Sequence, residues 1–222
     1  MAALAHPALA TVYGIESWRG QPMVVVEYLD GGTLADRLRR GGVSPAEWKV
    51  IGCRVLEALA HVHANGFLHR DVKPSNIGFT ASNAAKLLDF GLASLTEHSA
   101  PAKTPLSAPL NAPGDYSLTD RFVGTPAYMP PEAFRGETPT ASFDLWGCAV
   151  VMAEVLSGEY PFGAVALALS RLSAGTVPEF VPAVERLPAS IVDFLREALH
   201  TDPLRRPANA EVFRSNVEAL FN

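Results

Sequence analysis

The spacing of apolar residues changes along the chain and predicts where strands and helices lie. Between Leu9 and Tyr28 the apolar residues form two extended runs separated by Arg19-Gly20-Gln21-Pro22. This pattern predicts a two-stranded hairpin, which Gly31-Gly32 ends. Beyond the two glycines, apolar residues recur at three- and four-residue steps, the spacing of a buried helical face. We therefore expect a small β region followed by a mostly helical one.

The predicted helices carry clear start and stop signals. A short helix opens at Thr33 and stops at Gly41-Gly42. Ser44-Pro45-Ala46-Glu47 is a capping box with proline at the first helical position, and the long core helix after it is closed by Asn65-Gly66. Short strands are expected near residues 77–80 and 85–88, and further helices over residues 141–156, 165–172, 190–199 and 208–220.

Residues 94–120 break this pattern, because they hold four prolines among small polar residues. We expect a long loop there. Its hydroxyl residues, Ser117 and Thr119 among them, are candidates for phosphorylation, and an unmodified loop is the alternative.

Composition indicates a globular, cytoplasmic protein of 222 residues, 48% of them hydrophobic. The net charge of −5, with Lys and Arg scattered, argues against nucleic acid or an anionic membrane as a partner. Cys53 and Cys148 are isolated, so neither a disulfide framework nor a zinc site is expected. The longest apolar stretch, residues 148–156, is far short of the roughly 20 residues that span a membrane.

The strongest chemical signal is the run His69-Arg70-Asp71-Val72-Lys73-Pro74-Ser75-Asn76, between the long helix and a short strand. Asp71 supplies a carboxylate, Lys73 an ammonium group and Asn76 an amide oxygen. Together they suit a site that orients a hydroxyl, neutralises a phosphoryl group and binds Mg²⁺. Each residue alone would more often be a surface charge or a loop cap.

This run resembles the catalytic loop of the protein kinase family. The resemblance implies that Asp71 is the catalytic base and that His69 and Arg70 have structural or substrate-pocket roles. Arg70 is also a candidate partner for a phosphate on the long loop. It also implies that Lys73 contacts phosphate, as in serine/threonine kinases, and that Asn76 is a metal ligand. ATP and Mg²⁺ are the implied cofactors, and a protein serine or threonine is the implied substrate.

Other segments resemble further parts of the same family. Asp89-Phe90-Gly91 matches the metal-binding motif, with Asp89 on Mg²⁺. Glu27-Tyr28-Leu29 resembles the hinge, after a gatekeeper at Val26. Backbone groups of Glu27 and Leu29 would then face adenine, and Thr33 would approach the ribose.

Residues 124–132 resemble the substrate-pocket segment, in which Thr125 would bond both the base and the catalytic lysine. By the same resemblance Asp144 would hold the catalytic loop, and Arg206 would pair with Glu132. As isolated residues, Asp144 would be a helix N-terminal acid and Arg206 a solvated charge.

The resemblance implies an α+β, protein kinase-like fold. Residues 1–30 would be a remnant of the small β lobe with the hinge, and residues 31–222 the mostly helical large lobe. No Gly-x-Gly-x-x-Gly occurs in the sequence, and neither the strand lysine nor the helix glutamate is found. Gly78 stands where the family usually places an apolar side chain beneath adenine.

Two interpretations of these departures stay open. The favoured one is an N-terminally incomplete serine/threonine kinase domain, and the alternative is a catalytically impaired kinase-like binding or regulatory module. A regulatory partner or fused domains are compatible with both, since no motif encodes them.

Overall fold

The structure is a computed structural model that describes residues 5–19, 21–88 and 125–221, without the side chain of Pro22. Asp89, Phe90, Gly91 and the expected loop at residues 94–120 lie outside the described residues. What the sequence predicts of them stays a prediction.

The N-terminal region forms the predicted antiparallel hairpin, with β1 at Val12–Trp18 and β2 at Gln21–Val26. The connection is shorter than expected, because Gln21 and Pro22 already pair with β1. Arg19 makes the reversal in the left-handed region, with φ 52°. Apolar residues on both strands stay exposed, so the hairpin has little core of its own.

The first two helices begin where the capping signals predicted. Helix α1 is Leu34–Arg40, and Thr33 caps it with a full capping box to Asp36. Helix α2 is Pro45–Ala64, capped by Ser44 in the same way, and it ends at Asn65. The buried face of α2 carries the fully buried Trp48.

A short antiparallel hairpin follows, with β3 at Ile77–Phe79 and β4 at Ala85–Leu87. Neighbouring segments join both of its edges. Ala10 N–H donates to Leu87 O at 2.9 Å on one side, and Gly31 N–H donates to Phe79 O at 2.9 Å on the other. The β3–β4 hairpin therefore ties the N-terminal hairpin to the helical region.

The remaining helices build the core of the helical region. Their bounds are α3 Pro131–Phe134, α4 Ala141–Ser157, α5 Val165–Ser173, α6 Pro182–Glu185, α7 Ala189–Ala198 and α8 Ala210–Leu220. Helix α4 is buried almost all round, as its continuous apolar sequence dictates. It packs against α2, which also packs against α8. The sequence pattern missed α3 and α6, because four residues are too few to show a period.

Turns of 3₁₀ helix complete the architecture at Pro74–Asn76, Pro126–Tyr128 and Pro203–Arg205, each opened by proline. In the described part of the chain no helix is both long enough and apolar enough to cross a membrane. The segments just before the first two turns meet, since Lys73 Nζ donates to the Thr125 hydroxyl at 2.6 Å.

Candidate active site

Asp71 lies at the centre of a hydrogen-bonded cluster built by the loop between α2 and β3. Its Oδ1 accepts hydrogen bonds from the backbone N–H and the hydroxyl of Thr125, each at 2.9 Å. Its Oδ2 accepts from the Asn76 amide at 2.9 Å and lies 2.6 Å from Lys73 Nζ. Residues 54 positions apart in the chain thus meet on one carboxylate.

The environment favours the charged form of Asp71. Burial raises the pKa of this carboxyl, but hydrogen bonds from Lys73 and Thr125 and the charge of Lys73 outweigh the burial, and the pKa is lowered overall. Asp71 is therefore a carboxylate at neutral pH, able to accept a hydrogen bond from an incoming hydroxyl.

Lys73 and Thr125 form the second contact of the cluster. Lys73 Nζ donates to the Thr125 hydroxyl at 2.6 Å, and that hydroxyl donates to Asp71. Both Lys73 and Asp71 keep about a quarter of their side-chain surface accessible, at 23% and 27%. A cation and an anion therefore share an accessible surface where a phosphoryl group and a hydroxyl can meet.

Asn76 is oriented in a way that suits a metal ligand. Its amide nitrogen donates to Asp71 O and to Asp71 Oδ2, each at 2.9 Å, while the residue is 4% exposed. No described residue donates to the amide oxygen of Asn76. This hard oxygen donor fits Mg²⁺. The second expected ligand, Asp89, belongs to the undescribed part of the chain.

Asp144, at the start of α4, holds the backbone that precedes Asp71. Its Oδ2 accepts the backbone N–H of His69 at 2.9 Å, and its Oδ1 accepts that of Arg70 at 2.6 Å. Arg70 has φ 66°, a left-handed conformation that is unfavourable for a non-glycine residue. The Asp144 carboxylate compensates for this local strain.

Two histidines complete the support of the loop. His69 Nε2 lies 2.7 Å from Leu88 O, which links the loop to the end of the β3–β4 hairpin. His63 Nε2 lies 2.7 Å from Asp144 Oδ2. Sequence reasoning missed His63, because on α2 it is one polar residue among helix-forming neighbours.

Glu132 and Arg206 form the expected pair, and both are buried. Arg206 Nη1 lies 2.5 Å from Glu132 Oε1, and Nη2 lies 2.8 Å from Oε2. The guanidinium group also donates to the Ser142 hydroxyl and stacks over Trp146, 4.7 Å from the ring centroid. The pair fixes α3, and with it the segment that carries Thr125.

The hinge residues are placed less simply than the sequence suggested. Glu27 N–H donates to Thr11 O at 2.8 Å, so only its carbonyl group is left to face a ligand. The Thr33 hydroxyl is committed to the cap of α1, donating to Asp36 at 2.8 Å. In contrast, Leu29 N–H makes no hydrogen bond within the described residues. A ribose contact by Thr33 would compete with its helix cap.

Lys86 is a further residue that sequence reasoning missed. Its ammonium group contacts both carboxylate oxygens of Glu27, at 2.7 and 2.6 Å. No local signal marks it, because its partner is 59 positions away and β4 is only three residues long.

The fold and the cluster on Asp71 are those of a protein kinase-like domain. The protein kinase domain family matches residues 1–217, and the chain belongs to this family. The α+β, kinase-like fold class that the sequence predicted is confirmed.

Curated relatives agree with this assignment. The chain is 33% identical over 229 aligned positions to serine/threonine-protein kinase PknB of Mycobacterium tuberculosis, covering 100% of this chain and 34% of the relative. It is 30% identical to serine/threonine-protein kinase PrkC of Bacillus subtilis, covering 99% and 32%. It is 28% identical to MAP kinase kinase kinase SSK2 of Saccharomyces cerevisiae, covering 94% and 15%. The chain thus spans about a third or less of the length of these relatives.

Proposed function

We propose that this chain is a serine/threonine protein kinase domain that transfers the γ-phosphoryl group of ATP to a protein hydroxyl. The observation that carries the proposal is the convergence of Lys73, Asn76 and Thr125 on the Asp71 carboxylate. In this proposal residues 1–30 are a small-lobe remnant with the hinge, and residues 31–222 are the large lobe.

Each member of the cluster has one task in the transfer. Asp71 accepts a hydrogen bond from the substrate hydroxyl and takes its proton as the new O–P bond forms and the bond to ADP breaks. Lys73 lies 2.6 Å from Asp71 and neutralises charge on the moving phosphoryl group. The Thr125 hydroxyl bonds both the Asp71 carboxylate and the Lys73 ammonium group, and so fixes their relative position.

Mg²⁺ would be held by Asn76 and Asp89, and when bound it neutralises charge on the phosphate oxygens. The geometry of Asn76 suits a Mg²⁺ ligand, since its amide nitrogen is fixed by Asp71 and its oxygen is left for a ligand.

Serine and threonine are favoured as substrates for two reasons. Lys73 is the lysine that serine/threonine kinases carry two residues after the base, and the relatives PknB and PrkC are named serine/threonine-protein kinases. Protein substrates and regulatory partners of the whole protein belong to this proposal as a class, without named members.

The test is phosphate transfer from Mg²⁺ and radiolabelled ATP to a basic model protein by the purified chain. We expect transfer that Asp71→Asn lowers by about 10²- to 10⁴-fold, the usual contribution of a general base. Asp193→Asn is the matched control, because Asp193 is exposed on α7, away from the site. Equal activity of Asp71→Asn and wild type would refute the assignment of Asp71.

A second candidate is a kinase-like binding or regulatory module. It is favoured by the engaged hinge groups, since the Glu27 N–H already donates to Thr11 O and the Thr33 hydroxyl to Asp36. Mg²⁺-dependent transfer by the purified chain that Asp71→Asn abolishes would refute the module.

A further inference from the structure

One cross-strand pair of the β3–β4 hairpin contacts the hinge at two points. We call residues 27–31 the hinge segment. Gly78 on β3 lies opposite Lys86 on β4, and directly opposed residues of an antiparallel pair share one face of the sheet. Lys86 reaches Glu27, at the start of the hinge segment, and Gly78 lies against Leu29, in its middle.

The contact between Lys86 and Glu27 is an ion pair with little access to water. Their side chains are 16% and 20% exposed, and the ammonium group contacts both carboxylate oxygens within 2.7 Å. Glu27 Oε2 also accepts the backbone N–H of Thr11 at 3.0 Å. Although burial raises the pKa of Glu27, the bonds from Lys86 and Thr11 lower it overall, so this carboxylate is charged at neutral pH.

The contact between Gly78 and Leu29 depends on the missing side chain of the glycine. A Cβ atom at Gly78 would lie 2.6 Å from Leu29 Cδ1 and 3.1 Å from Leu88 Cδ1. Leu29 therefore fills the space that a side chain at position 78 would take. Leu29, in the hinge segment, thus supplies the apolar group that a side chain at position 78 would otherwise supply.

The end of the hinge segment is fastened to the same hairpin. Gly31 N–H donates to Phe79 O at 2.9 Å, and a Cβ atom at Gly31 would lie 2.7 Å from that oxygen. The hinge segment is thus attached to β3 and β4 at its start, middle and end, and Lys86 supplies the only charged attachment among the described residues.

We propose that Lys86 is a positioning residue for nucleotide binding, which acts through Glu27 to hold the hinge segment over the β3–β4 hairpin. This inference rests on the proposed function, in which the Glu27 carbonyl and the Leu29 N–H meet an adenine ring. Without the ammonium group, Glu27 keeps a mostly buried charge with no cation, and the start of the hinge segment moves toward water. Misplaced hinge groups then bind the nucleotide less well.

The experiment compares Lys86→Met, which keeps the length and loses the charge, with Lys86→Arg, which keeps the charge. Arg196→Met is the matched control, because it removes ion pairs to Glu185 and Asp193 that are exposed at both ends. The first measurement is the affinity for Mg²⁺ and ADP by titration calorimetry. We expect Lys86→Met to raise the Kd by about tenfold, and Lys86→Arg and Arg196→Met to stay within twofold of wild type.

The second measurement is hydrogen exchange at the amides of Glu27 and Gly31, which Thr11 O and Phe79 O protect. In the absence of nucleotide, we expect faster exchange in Lys86→Met but not in Lys86→Arg or Arg196→Met. Exchange in Lys86→Met equal to that in wild type would overturn the inference. If the wild type binds ADP, an unchanged Kd in Lys86→Met would overturn it too. A wild type that binds no ADP would instead overturn the proposed function, and the exchange rates would still decide whether Lys86 holds the hinge segment.

Discussion

Arg206 and Glu132 form a buried ion pair between residues 74 positions apart, with side chains 0% and 2% exposed. The pair fastens α3 to the segment before α8. Buried pairs contribute little net stability, but removal of one partner is costly, because the other charge is left without compensation.

Arg206→Met should therefore lower the free energy of unfolding by about 3–5 kcal/mol. The double variant Arg206→Met/Glu132→Met should be more stable than the single one, since no buried charge is left over. Urea unfolding measures both. As a control, Arg196→Met breaks only exposed pairs, to Glu185 and Asp193, and should cost less than about 1 kcal/mol. A single variant as stable as the double one would contradict this reasoning.

Asp144→Asn should loosen the loop that carries Asp71. The carboxylate accepts two backbone N–H groups, from His69 and Arg70, and an amide nitrogen in place of one oxygen would face a donor. We expect a loss of about 1.5–3 kcal/mol, typical of hydrogen bonds to a charged group. Hydrogen exchange at these two amides should quicken more than elsewhere in the chain, and slow exchange there would count against the role.

Gly78→Ala should displace Leu29, because the new Cβ would approach Leu29 Cδ1 to 2.6 Å. The end of a flexible side chain can yield, so we expect a stability loss of only about 1 kcal/mol. Gly14→Ala in β1 is the matched control, since nothing lies within 4 Å of its added Cβ. Thermal unfolding compares the two variants. Equal melting temperatures would show that Leu29 does not fill the Gly78 site.

Acid should weaken the contact between the N-terminal segment and α2. The rings of His6 and His61 stack, with centroids 4.9 Å apart. Burial lowers the pKa of His6 below 6.5, and His61 and Arg54 add to this while Glu57 opposes it. The unfolded chain thus binds the proton more readily, and stability is lost as the pH falls from 6.5 through the lower folded pKa.

The measurement for this contact is the melting temperature between pH 7.5 and 5.5. His6→Phe keeps an aromatic ring but cannot titrate, so wild type should lose more stability than the variant as the pH falls. Parallel curves for the two proteins would exclude His6 as the titrating group.

The β1–β2 hairpin should make the 222-residue chain self-associate. Trp18 and Met23 are 64% and 50% exposed on strands that form only a two-stranded sheet among the described residues. Exposed apolar strands favour edge-to-edge association. Trp18→Thr/Met23→Thr should shift the chain toward monomer in sedimentation velocity. The control Leu204→Thr removes a 93% exposed side chain from a 3₁₀ turn and should have no effect.

Local signals were sufficient for most elements of the fold, but not for the four-residue helices α3 and α6. The capping box at Ser44 predicted the start of α2, because a cap depends on residues three positions apart. The start of α1 was predicted at Thr33, and the structure shows a capping box there too. The turn of the first hairpin was predicted too long, since Gln21 and Pro22 pair with β1. Pairing between strands is set by the partner strand, which no window of a few residues contains.

By itself, the sequence determined the kinase-like class, the α+β fold and the loop that carries Asp71, Lys73 and Asn76, because these depend on residue type and short spacing. Only the tertiary structure decided which groups those residues meet. It showed that the Glu27 N–H and the Thr33 hydroxyl are already engaged, and that Lys86 pairs with Glu27. Contacts across 59 or 74 positions follow from chain packing, which short-range patterns do not encode.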